Sequence, residues 1–95
     1  MALIDARHKY PSYPRVYLTQ KREEMNISAE ELSRRLDVSK SYYYALENGS
    51  RGHNIGVLLL SKITVCLNAD IKEMFDSEIR YINERDIFLK RKKIK

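Results

Sequence analysis

The sequence predicts an all-α fold, five short helices packed as a small bundle with a C-terminal extension. Three observations carry that prediction. Apolar residues recur at helical rather than alternating spacing, as at Leu32 and Leu36, or at Leu60, Ile63, Thr64 and Leu67. Two segments open on a capping residue with a glutamate three positions on, Ser28 with Glu31 and Asp70 with Glu73. The 95 residues include only three Gly and two Pro, too little turn chemistry for a barrel of short strands.

Taken in order, residues 1–13 form an N-terminal arm without helical periodicity. Pro11 and Pro14 keep the residues before them extended, and Arg7, His8 and Lys9 make the arm basic. Helix 1 is expected from Pro14, a good first-turn residue, to near Met25, with Leu18 and Met25 on one face. Asn26 takes a left-handed exit, and Ile27 is a hydrophobic staple ahead of Ser28. Helix 2 begins at Ser28, whose hydroxyl caps the first turn while Glu31 reaches back to the Ser28 N–H. Leu32 and Leu36 then point inward and Arg34 and Arg35 outward. Asp37 tolerates the left-handed turn, Val38 fills it, and Ser39 caps helix 3.

On helix 3, Tyr43, Leu46 and Glu47 share the inner face, while Lys40, Ser41, Tyr42, Tyr44 and Ala45 face out or sideways. Gly49 ends it. Two short helices braced across a tight turn, the second showing its polar N-terminal residues, form the geometry for reaching into a major groove. Helix 4, residues 57–67, presents Val57, Leu60, Ile63, Thr64 and Leu67 to the core, with Cys66 in a small packing site. In helix 5, Ile71, Met74 and Phe75 close the core. The extension, residues 77–95, reads either as a helix with Ile79, Ile82 and Leu89 on one side or as a short strand at Ile87, Phe88 and Leu89. Asp86 spoils a heptad there. Residues 90–95 read as a disordered basic tail.

Charge distribution narrows the function classes. The formal charge is +5, and Lys90, Arg91, Lys92, Lys93 and Lys95 supply all of it. Without these five, the remaining 13 basic residues balance the 13 acidic ones, so nucleic-acid binding by the domain must rest on local placement rather than bulk charge. Cys66 is the only cysteine, which excludes an internal disulfide and, with no partner at metal-ligand spacing, predicts no metal. No stretch approaches the ~20 apolar residues of a membrane helix. His8 and His53 have no evident acid or nucleophile partner, so no enzyme and no cofactor is expected.

The residues Leu32, Leu36, Val38, Ser39, Leu46, Glu47, Asn48 and Gly49, at these spacings, resemble the signature of the phage-repressor and Cro (XRE-like) family of helix–turn–helix proteins. The similarity extends through Asn54, Ile55, Gly56 and Val57 to Asp70, Ile71, Met74 and Phe75. It implies a five-helix lambda-repressor-like domain over residues 14–76. By the same resemblance the chain is a cytoplasmic, nucleoid-associated, sequence-specific regulator of double-stranded DNA, a repressor of mobile-element or prophage type. It would act as a homodimer on a two-fold operator, with residues 77–95 as a possible dimerisation element.

The resemblance also assigns roles. Lys40, Ser41, Tyr42 and Tyr44 would face bases. Ser28 and Ala29, through backbone N–H groups at the start of helix 2, would hold phosphate together with Asn48, Ser50 and Arg51. Arg22 and Glu47 would form a structural ion pair between helix 1 and the recognition helix. Three departures stand out: Ala29 where many relatives carry glutamine, Asp37 where glycine is common, and a loop over residues 50–54 one residue longer than usual. The alternative use of the same fold is an antitoxin or a protein-binding adaptor, for which Ala29, the neutral domain and the outward tyrosines leave room.

Overall fold

Five helices make up the regular structure of the computed structural model, which describes residues 12–50 and 54–94: α1 (Val16–Glu24), α2 (Ala29–Leu36), α3 (Lys40–Asn48), α4 (Val57–Cys66) and α5 (Ile71–Ile94). No strand occurs among the described residues. The arm as far as Pro11, together with Arg51, Gly52, His53 and Lys95, lies outside them, and so do the expectations attached to those positions.

Local chemistry sets the helix ends. Ser28 Oγ accepts from the Glu31 N–H and Ser39 Oγ from the Tyr42 N–H, each at 3.0 Å. The Asp70 carboxylate does the same for the Glu73 N–H at 3.0 Å. The reciprocal half of the expected capping box at Ser28 is not used. Glu31 turns instead to Arg34 and Arg35 on its own helix, at 2.6 and 2.9 Å, because a neighbouring guanidinium attracts a carboxylate more strongly than a neutral amide does. Left-handed residues follow the first four helices: Asn26, Asp37, Gly49 and Asn68, all residue types that adopt positive φ at low cost.

The N-cap of α4 is the one place where a serine-shaped backbone lacks its serine. Gly56 has φ −66° and ψ 157°, close to Ser28 (−73°, 158°) and Ser39 (−71°, 153°), but makes no side-chain cap. A Cβ there would meet nothing within 4 Å. The expected result of Gly56→Ser is stabilisation by about 0.5–1 kcal/mol, from a new cap and a less flexible unfolded chain. Urea denaturation of the two proteins checks it, and an unchanged midpoint would refute it.

The core is built from Leu18, Ile27, Leu32, Leu36, Tyr43, Leu46, Leu60, Ile63, Leu67 and Met74. It brings α2 against α3 and α4, α1 against α3, and α4 against α5. Four expectations change. Helix 1 starts at Val16 rather than Pro14: Arg15 is its N-cap, at φ −85° and ψ 76° outside the helical region, with its N–H given to the Glu47 carbonyl at 2.7 Å. Met25 is exposed, and Ile27 plugs that end of the core in its place. Val57 and Ile71 are exposed as well: each is the first residue of its helix, turned off the line its buried neighbours follow.

The fourth change concerns residues 77–95, where the helical alternative holds and the strand does not. One helix runs unbroken from Ile71 through the basic residues to Ile94, so the stretch expected to be disordered is helical there. Its buried line is Met74, Glu78, Tyr81 and Arg85, with Phe88 next, a 4-3-4-3 spacing carried mostly by polar side chains. The apolar residues Ile79, Ile82 and Leu89, expected on one side, do not form this line: Ile79 is exposed, and Ile82 and Leu89 are only half-buried. No described helix is long and apolar enough to cross a membrane.

Candidate nucleic-acid interface

Helix α3 has two faces. Tyr43, Leu46 and Glu47 are buried, and Lys40, Ser41 and Tyr44 are exposed, with Tyr42 half-buried against the core. The turn from Leu36 to Ser39 works because Asp37 takes φ 61°, freeing its N–H for the Arg34 carbonyl and that of Val38 for Ser33, a helix C-terminal closure. Val38 packs beneath the turn, and α3 leaves at a fixed angle to α2.

The N-termini of α2 and α3 both reach solvent. Their first N–H groups have no intrahelical acceptor, and the Ser28 and Ser39 hydroxyls satisfy only those of Glu31 and Tyr42. The Ala29 side chain is buried in the core, so only its backbone is available to an anion. Glu30 stands exposed in the same first turn and opposes an anion there. At the far end of α3, Asn48 Oδ1 accepts from the Ser50 N–H at 3.0 Å, while both side chains stay exposed. Lys40, Ser41, Tyr44, Asn48 and Ser50 thus share the solvent-facing side of α3 and its following turn.

What holds this helix from behind is a charged cluster. The Glu47 carboxylate accepts from Arg22 Nε at 2.6 Å, Arg22 Nη2 at 3.2 Å, the Tyr43 hydroxyl at 2.6 Å and Thr19 Oγ1 at 2.9 Å. Arg22 also donates to the Ile27 carbonyl at 2.9 Å. Burial pushes the Glu47 carboxyl up, but the bonds from Arg22, Tyr43 and Thr19 outweigh it and hold it below the ordinary carboxylate value. The same bond to Glu47 raises the Arg22 guanidinium further. Burial, with the carboxylate beside it, pushes the Tyr43 phenol far up, so it stays a donor.

A second cluster was not legible beforehand. Arg15, fully buried, donates through Nε and Nη2 to the two Glu78 oxygens at 3.0 and 2.9 Å. Its Nη1 donates to the Leu46 carbonyl at 2.9 Å. The Tyr17 hydroxyl adds a 2.7 Å bond to Glu78, and the Arg15 guanidinium lies 4.4 Å from the Tyr81 ring centre. Thr19, Arg15 and Glu78 bond to α3 or to its partners from behind, and sequence reasoning passed over them. The only available signal was the 4-3-4-3 run from Met74 through Phe88, which includes Glu78 and Arg85. Among the described residues, no group of His, Cys, Asp and Glu side chains could hold a metal.

Comparison with known proteins agrees with this geometry. The helix–turn–helix family model matches residues 18–74, more than half of the chain. A curated relative, the control protein C.MunI of Mycoplasma sp, is 31% identical over 55 residues, covering 58% of this chain and 72% of its own. No solved structure matches significantly. With the matched segment spanning α1 to the first turn of α5 and enclosing the exposed α3, the chain belongs to the helix–turn–helix family of DNA-binding transcription regulators.

Proposed function

We propose that the protein is a sequence-specific repressor that binds an operator as a two-fold homodimer and acts by occupying a promoter, without chemistry on the DNA. The observation that carries this reading is the two-faced α3: its inner face is pinned through Tyr43, Leu46 and Glu47, and its outer face offers Lys40, Ser41 and Tyr44. Lys40 donates to guanine O6 and N7, and the tyrosines contact thymine methyl groups or phosphates. The N–H groups at Ala29, with Asn48, Ser50 and Arg51, grip phosphates on either side. The C.MunI relative is by name a control protein, which favours regulation over an adaptor role. Exposed Val57, Leu58 and Val65 on α4, with Ile79 and Ile87 on α5, give a second copy apolar surface to cover.

Few cations back this surface. Arg34 and Arg35 are already committed to Glu31, so the salt dependence from the domain itself is shallow and that from the basic end of α5 is additional. Selection from a random-sequence DNA pool under salt titration tests the reading. The wild type is expected to enrich a two-fold motif with half-sites about 34–36 Å apart. Replacing Lys40 and Tyr44 together by Ala is expected to weaken operator binding by about tenfold to hundredfold, with the fold intact, since both side chains are exposed. A chain ending at Leu89 is expected to keep the motif and lose slope against salt. If no motif emerges and all binding disappears with the truncation, the domain does not read DNA and the adaptor reading takes its place.

A further inference from the structure

The last turn of any helix leaves carbonyls without intrahelical donors. In α3 the Ala45 carbonyl is satisfied locally, by the N–H groups of Gly49 and Ser50 at 3.0 and 3.1 Å. The next two carbonyls are satisfied from outside, and by one residue. Arg15 gives its backbone N–H to Glu47 at 2.7 Å and its Nη1 to Leu46 at 2.9 Å. It also places a positive charge at the negative end of the helix. That charge is buried, and the carboxylate that makes it tolerable comes from α5, through the two-pronged contact with Glu78. The Tyr17 hydroxyl completes Glu78, and the Tyr81 hydroxyl holds the preceding backbone at the Tyr13 carbonyl, 2.6 Å away. A continuous chain of directional bonds therefore runs from Glu78 of α5 through the buried Arg15 to the last carbonyls of α3, just ahead of the turn carrying Asn48 and Ser50.

We propose that Arg15 and Glu78 are positioning residues for DNA recognition: as a cap supplied by Arg15 and braced by α5, they fix the axial position of α3 and of its phosphate-side turn. The inference rests on the DNA-binding reading. It makes the part of α5 beyond Met74 a determinant of operator affinity, although the base-facing residues all lie on α3.

The test separates positioning from simple stabilisation with three variants of the full chain. Glu78→Gln keeps the shape and removes the charge. Arg15→Lys keeps the charge and removes the planar fork. Arg15→Met with Glu78→Leu replaces the buried pair by apolar groups of similar size, an exchange that commonly leaves stability level or raised. Urea denaturation identifies conditions in which each variant is fully folded. Under those conditions, amide NMR shifts of Ala45 to Ser50 are recorded without DNA, and affinities are measured for the operator enriched by the wild type and for unrelated DNA.

Positioning predicts that the double variant regains stability over the single ones while the Ala45–Ser50 amides stay displaced. Its operator affinity is then reduced by about tenfold, the size of one lost base contact, with binding to unrelated DNA little changed. A folded double variant with wild-type amide shifts, or with displaced shifts and wild-type operator affinity, overturns the proposal. Unfolding of the single variants does not decide the matter, because the double variant carries the test. Should the wild type itself fail to prefer any sequence, the DNA reading falls first, and that outcome is visible in the same titration before any variant is compared.

Discussion

Replacing Glu47 by Ala is expected to cost about 3–5 kcal/mol of stability, a large fraction of what a domain of this size has. The reason is the number of donors left behind. Two nitrogens of Arg22, the hydroxyl of the fully buried Tyr43 and the hydroxyl of Thr19 all end on this carboxylate. Removing it strands a mostly buried guanidinium and a phenol with no route to water. Glu47→Gln, which still accepts from Tyr43, is expected to lose less. Combining Glu47→Ala with Arg22→Met is expected to cost less than the two single losses summed, since the second change removes the stranded charge. Urea titration of the four proteins measures the coupling, and strict additivity would show that the pair does not act as a unit.

The same carboxylate sets an acid limit. Its folded value lies below the ordinary 4.5, so the folded state binds the proton less readily than the unfolded chain. The stabilisation is therefore complete above the ordinary carboxylate range and is lost as pH falls through the lowered folded value. Wild type is expected to lose stability steeply below about pH 4.5, and Glu47→Ala to show a flatter profile there. Parallel slopes would assign the acid sensitivity to other groups.

The second large effect belongs to a residue with no side chain. Gly49 ends α3 at φ 81°, and a Cβ at that position would sit 2.6 Å from the Tyr13 carbonyl carbon and closer still to its oxygen. The obstacle is backbone, which cannot swing aside as a flexible side chain would. Gly49→Ala is expected to cost about 2–4 kcal/mol, combining left-handed strain with overpacking. It also pushes on the segment that delivers Arg15 to the end of α3, so operator binding should weaken even where the variant remains folded. Gly56→Ala, where no atom lies within 4 Å, is the control and should change stability by no more than about 1 kcal/mol. Equal effects at the two glycines would refute the close approach of Tyr13.

Local chemistry and periodicity are enough to specify much of this molecule from the chain alone. Ser28, Ser39 and Asp70 start helices through bonds to N–H groups three residues away, and Asn26, Asp37 and Gly49 end them through their own backbone preferences. Leu32, Leu36, Tyr43 and Leu46 follow the helical period, so their burial and the outward placement of Lys40 and Ser41 are readable without coordinates. None of those inferences needs a partner more than a turn or two distant.

What only the tertiary structure decided is how polar residues pair across long separations. Arg15 and Glu78 are 63 positions apart, and each alone looks like a solvated surface charge. Pattern reading treats such charges as outward-facing, and so places the buried face of α5 at Ile79, Ile82 and Leu89 rather than at Glu78, Tyr81 and Arg85. Burial of a charge becomes favourable only when a complementary group arrives in register, and register between α1, α3 and α5 is a property of the assembled bundle. The sequence therefore determined α3 and its outward residues, while the packed structure alone determined what holds that helix in place.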